Sequence, residues 1–221
     1  MSKAEAEPDV KSIEVAPGQT LHLRCDWGVG IGGGLWTTGE HLCAHFREHA
    51  GSYARWLDGR RVLELGSGTG LVGLFLAALL RRARAAPACV RVTDRADHVP
   101  ILRENVARNA PLLLRGGVVA AECEWGRAAY PELDGGGPFD LVIGTDVAYA
   151  PELHAPLIAT LTAVCGAATV VLLGVTRSDT PPSFFAALGR AGFGYHLISA
   201  QGDFGLFRVA REGPFWCSPC V

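Results

Sequence analysis

The sequence predicts an α/β fold: a mostly parallel sheet with helices on both faces, an antiparallel last strand and a small β-hairpin extension at the N-terminus. Three observations carry this. From residue 61 onward, short apolar and β-branched runs alternate with helical stripes, the pattern of strand–helix–strand crossovers. A glycine-rich run from Glu64 to Gly70 stands between one such strand and one such helix. Near the end, Gln201-Gly202-Asp203 separates two strand-like runs, a signal for a reversing hairpin.

The elements follow in order. Ser12 to Val15 and Thr20 to Cys25 read as a hairpin closed by Ala16-Pro17-Gly18-Gln19, with Leu21 and Leu23 alternating against His22 and Arg24. Gly28 to Gly34 is a loop. A single helix follows, with Thr37 and Glu40 at capping-box spacing and Leu42, Phe46, His49, Tyr53 and Trp56 on one stripe. Arg61 to Leu65 is a buried strand and Leu71 to Arg84 a helix. Val90 to Thr93 is the next strand, ending at Asp94, and Asp97 is placed to cap a helix carrying Ile101, Leu102 and Val106. Strands are expected over Val118 to Cys123, Phe139 to Thr145 and Ala168 to Gly174. Helices are expected from Pro151 to Val164, stopped by Gly166, and from Pro181 to Arg190. Phe193 to Ser199 and Phe204 to Ala210 close the sheet. This divides the chain into a disordered tail (1–10), a hairpin-and-helix extension (11–57), a ligand-binding core (58–211) and a second tail (212–221).

The chain's 221 residues suffice for one substantial core, and 49% hydrophobic with 19% charged residues describes a compact folded chain. Twenty basic and 22 acidic residues give a net charge of -2, which argues against a basic nucleic-acid face. Arg81-Arg82-Ala83-Arg84 reads as cations complementing a helix C-terminus. No run has the length needed to cross a bilayer, and the acidic segment Met1 to Asp9 is unlike a signal peptide. Seven cysteines without an export signal point to reduced thiols in the cytoplasm or the nucleus, with Cys217 and Cys220 a terminal pair lacking a second ligand pair for zinc. His45-Phe46-Arg47-Glu48-His49 matches a reversed zinc-peptidase pattern, but an amphipathic helix explains the spacing of His41, His45 and His49 better, so no metal is expected.

The glycine run is where a ligand belongs. Glycines let the backbone turn sharply and let a ligand approach where side chains would block it. Asp94, at the carboxyl end of the neighbouring strand, lines the same crevice and can accept both hydroxyls of a ribose. Gly68, Gly70 and Gly73 also satisfy G-x-G-x-x-G with Asp94 downstream, so a dinucleotide remains an alternative. Glu64 tips the balance. A carboxylate there would repel a pyrophosphate and meet the cationic amino-acid end of S-adenosylmethionine.

ELGSGTGLVG, then VTDR, ECEWG and FDLVIGTDVAYAPE together resemble the seven-strand methyltransferases, and within them the protein-lysine methyltransferases with a DxxY motif. The resemblance runs from about Leu35 to Ala210 and implies a Rossmann-like seven-stranded sheet with S-adenosyl-L-methionine as cofactor. Position by position, it implies that Trp36 packs against the donor and that Gly66, Ser67 and Gly68 form its turn. Asp94 would hold the ribose, Trp125 would lie beside the adenine, and Thr145 would touch the cofactor where the family usually has a smaller residue. Asp146 and Tyr149 would be catalytic, the first holding the acceptor amine and the second walling its slot. The residues alone also allow Asp146 as a helix cap, and Tyr149 and Trp125 as packing. The implied partner is a folded protein such as a chaperone or translation factor. Other acceptors (arginine, histidine, nucleic acid, a small molecule) and a non-catalytic cofactor-binding module are the alternatives.

Overall fold

The computed structural model describes residues 9–114, 117–127, 130, 133 and 137–211. Two antiparallel strands, β1 (Asp9–Ala16) and β2 (Gln19–Cys25), form the hairpin. After the loop come α1 (Thr37–Glu48) and α2 (Ala50–Leu57). The main body continues as β3 (Arg61–Leu65), α3 (Leu71–Arg82), β4 (Cys89–Asp94), α4 (Val99–Arg108), β5 (Val118–Glu122) and β6 (Phe139–Thr145). It ends with α5 (Pro151–Val164), β7 (Cys165–Thr176), α6 (Pro182–Arg190), β8 (Phe193–Gln201) and β9 (Phe204–Arg211). The seven-stranded sheet has the order β5-β4-β3-β6-β7-β9-β8. β3 to β7 pair in parallel, and the last strand, β9, runs antiparallel to both of its neighbours.

Period-two alternation sorts the sheet's side chains into two cores. Val62, Leu141, Ile143 and Leu172 join α1 to α4 and the hairpin on one face. Leu63, Leu65, Val142, Leu173 and Val175 join α5 and α6 on the other. The chain reverses direction along the sheet at β3, so the carboxyl ends of β3, β4 and β6 border one crevice, where ligands of such sheets bind.

The hairpin is stitched to this body by two asparagines one helical turn apart. Asn105 accepts from the Arg24 amide (2.8 Å) and donates to its carbonyl (3.0 Å); Asn109 does the same for His22 at 2.8 and 2.9 Å. Side-chain amides on α4 thus satisfy the free edge of β2 as a neighbouring strand would.

Several expectations need correction. The helix expected over the stripe from Leu42 to Trp56 is two helices broken at His49 (φ -105°, ψ 21°), although the stripe continues across the break. Gly51, a poor helix former, makes this the weakest point of the run. No capping box forms: Trp36 is the N-cap of α1, extended and without a side-chain cap, and Thr37 is already helical. Asp97 does not cap α4, whose N-cap is His98; its carboxylate is taken by Arg95 and His98 instead. Gly166 does not separate α5 from a later strand, since β7 begins at Cys165. β1 starts at Asp9, earlier than Ser12. Cys217, Cys220 and most of the expected tails lie outside the described residues. Cys25, Cys43, Cys89 and Cys165 are free thiols, and among the described residues no helix is long and apolar enough to cross a membrane.

Candidate active site

Leu65 ends β3, and the chain then turns through Gly66 (φ 64°), Gly68 (φ 54°) and Gly70 (φ 85°), the last being the left-handed N-cap of α3. Other residues reach this region only at a cost. Space forbids them too: a Cβ on Gly66 would lie 2.9 Å from Val147 Cγ1 and 3.2 Å from the Trp125 ring, and one on Gly68 would lie 2.6 Å from the Gly32 carbonyl oxygen. Gly66 therefore marks where three segments converge: the turn, the end of β5 through Trp125, and the segment after β6 through Val147.

Ser67 locks the turn to the sheet. Its amide donates to the Thr93 carbonyl at 2.9 Å and its hydroxyl accepts the Thr93 amide at 2.8 Å. The side chain is buried in this exchange, so what Ser67 offers a ligand is backbone. Asp94 completes the lock, with Oδ2 accepting from the Gly68 amide and Oδ1 from the Arg95 amide, both at 2.8 Å. Each oxygen keeps a second lone pair for a ribose hydroxyl.

Glu64 is not where the sequence reading put it. It is 1% exposed and lies under α3, where Oε2 accepts the Gly73 amide at 3.0 Å. Burial pushes its carboxyl up to about 8, so near neutrality it is mostly uncharged. It is therefore a buried strut beneath the turn. Gly73 is glycine because a Cβ there would sit 2.5 Å from that carboxyl oxygen, which accounts for the third glycine of the dinucleotide-like spacing.

At the end of β6, Thr145 pairs with Gly174 of β7. The chain then bends at Asp146, which has φ 50° and donates its amide to the Gly174 carbonyl at 2.9 Å. Aspartate tolerates this left-handed geometry better than most residues. Its Oδ1 accepts from the Thr176 amide (2.9 Å) and hydroxyl (3.1 Å), and the Thr176 hydroxyl lies 3.2 Å from that of Thr38. Asp146 does not cap α5, whose N-cap is Ala150. Val147 and Ala148 are buried, His154 binds the Ala148 carbonyl at 2.9 Å, and Tyr149 emerges 44% exposed.

The loop from Asp26 to Trp36 closes the crevice on the outside. Gly32 packs on Gly68 and on the imidazole of His98, whose buried Nε2 has no hydrogen-bond partner. Trp36, 43% exposed, donates from its indole to the Ile31 carbonyl (3.1 Å) and meets Trp27 edge-on. Its ring thus lies on its own loop. Thr38, Thr176 and His98 escaped the sequence reading, and only the strand-end position of Thr176 could have pointed to any of them. The histidines of α1 serve packing: His41 stacks on Phe204, and His45 lies 3.1 Å from the Tyr53 hydroxyl, with burial lowering its pKa to about 4.

A family model described as lysine methyltransferase matches residues 15–191. Protein N-lysine methyltransferase METTL21A of Danio rerio is 35% identical over 198 residues, covering 87% of this chain and 84% of the relative. EEF1A lysine methyltransferase 3 of Mus musculus is 30% identical, covering 84% and 74%. Among solved structures, a ribosomal protein L11 methylase from Lactobacillus delbrueckii subsp. bulgaricus superposes with TM-score 0.52 at 19% identity, over 75% of this chain and 79% of that one; this likeness speaks for the fold alone. The cofactor is S-adenosylmethionine rather than a dinucleotide, and the chain belongs to the lysine methyltransferase family.

Proposed function

We propose that this protein transfers a methyl group from S-adenosylmethionine to the side-chain amine of a lysine on a folded protein, with Asp146 and Tyr149 forming the amine slot. One observation carries this reading: at the strand end next to the glycine turn, the Asp146 carboxylate is anchored through Oδ1 while Oδ2 takes no hydrogen bond among the described residues. The residues present fit the donor. Gly66 and Gly68 leave room for it, Asp94 offers lone pairs to its ribose, and Trp125 flanks Gly66, where an adenine would stack. When bound, S-adenosylmethionine supplies an electrophilic methyl carbon on a positively charged sulfur.

The chain's own task is to deliver a neutral amine. A lysine at its reference pKa near 10.4 must give up about 4–5 kcal/mol to be neutral at pH 7, at about 1.36 kcal/mol per unit. A slot walled by Tyr149 lowers that cost by disfavouring the ammonium. The free oxygen of Asp146 accepts a hydrogen bond from the amine and offsets the positive charge that grows on nitrogen as the new bond forms. Orientation does the rest, since an in-line displacement depends above all on alignment.

The acceptor is a cytosolic protein, and the name of the mouse relative makes a translation elongation factor the first class to try. Incubating the protein with tritiated S-adenosylmethionine and cell lysate, followed by acid hydrolysis, tests the reading. Label is expected in methylated lysine of a discrete protein band. Label confined to RNA, arginine or histidine overturns it.

A further inference from the structure

We propose that Thr176 and Thr38 are positioning residues for methyl transfer, a relay of two hydroxyls that fixes the Asp146 carboxylate so that one defined oxygen faces the acceptor amine. The inference rests on the reading of Asp146 given above and goes beyond it to the residues that aim it. A hydroxyl has one proton to give. The ionised carboxylate has none, so the Thr176 hydroxyl donates to Oδ1 (3.1 Å) and must accept from Thr38 across the 3.2 Å contact. The order of donation, Thr38 to Thr176 to Asp146, is thereby set.

Each member is held from outside the relay. Thr176 closes β7 and gives Asp146 both its amide and its hydroxyl, a two-point grip on one oxygen. Thr38 is buried in the first turn of α1, and its methyl packs where a Cβ on Gly174 would lie 3.1 Å away. A β-branched side chain in such a place has little rotamer freedom. Asp146 itself occupies a left-handed bend, whose backbone sets the direction of Cβ but leaves the carboxylate free to rotate. The relay removes that freedom, and it ties the amine slot to α1, the helix that follows the exposed loop.

The test compares Thr176→Val, Thr176→Ser and Thr38→Val with Asp146→Asn in the full chain. Initial rates of tritium transfer to lysate protein are read at saturating S-adenosylmethionine, and binding of S-adenosylhomocysteine is read by calorimetry. Thr176→Val is expected to lose roughly tenfold to a hundredfold in rate, the scale of a misaligned reacting group, while donor-product affinity stays within about twofold. Thr176→Ser restores the rate to within about threefold, and Thr38→Val falls between, since it removes only the outer link. A merely structural role would lower affinity and rate together and would not distinguish serine from valine. Wild-type rate in Thr176→Val, with Asp146→Asn inactive, overturns the relay and leaves the slot standing. Wild-type rate in Asp146→Asn overturns both. Should Thr176→Val fail to bind S-adenosylhomocysteine, Thr38→Val decides: at unchanged affinity, an unchanged rate overturns the relay.

Discussion

The two sides of the crevice are built differently. On the side proposed for the donor, the glycine turn, Ser67, Asp94 and Glu64 are wired into the sheet by backbone and buried side-chain hydrogen bonds, and Gly66 and Gly68 are demanded by both φ and space. On the side proposed for the acceptor, Asp146 is held through one oxygen and Tyr149 is 44% exposed, and the loop that closes the crevice carries Trp27, 60% exposed, and Ile31, 54% exposed. A donor common to a whole family permits a prebuilt cradle. A protein acceptor brings its own surface, and large apolar side chains left in solvent are where such a surface can dock.

The sharpest way to break the comparison is Asp146→Ala. It should lower lysine methylation by about a hundredfold to a thousandfold, the scale of losing one group aimed at charge that develops in the transition state, while S-adenosylhomocysteine binding by calorimetry stays within about twofold. Gly68→Val should do the reverse. It forces a β-branched residue to positive φ against the Gly32 carbonyl, and affinity for S-adenosylhomocysteine should fall by about a hundredfold or more.

Glu64 gives a pH test of the donor side. Its folded carboxyl titrates near 8 against an ordinary 4.5, so the folded chain holds the proton more tightly. The stability this contributes is complete below about 4.5 and is lost as pH rises through 8. Urea denaturation should show stability falling across that window by on the order of 5 kcal/mol, and Glu64→Gln should flatten the slope. The smallest effect belongs to the loop over the crevice. Trp27→Ser combined with Ile31→Ser should change stability by no more than about 0.5 kcal/mol, yet slow methylation of lysate protein several-fold through a raised KM for the acceptor.

Most of the fold was legible because strands and helices here keep clean periods and turn at glycine, proline or aspartate. The strand ends bearing Asp94 and Asp146 came out where the pattern placed them. The break at His49 did not, because the stripe of Leu42, Phe46 and Tyr53 runs through it unchanged. The burial of Glu64 follows from a simple step: period-two alternation puts it on the face of Val62, under α3, and Gly73 is the sign of its presence. The meeting of Thr38 with Thr176 was beyond reach. They lie 138 residues apart in sequence, and only the pairing of β6 with β7 and the seating of α1 bring them to one carboxylate.

Asn105 has a consequence for where this protein can be cut. Besides binding both backbone groups of Arg24, its amide donates to the carbonyl of Thr69 (2.9 Å), inside the glycine turn. A truncation beginning at residue 26 would strip the hairpin partners from two buried asparagines and loosen Thr69 in the same stroke. The first two strands are thus a brace for the nucleoside cradle, and removing them should weaken donor capture without touching any residue that meets the donor.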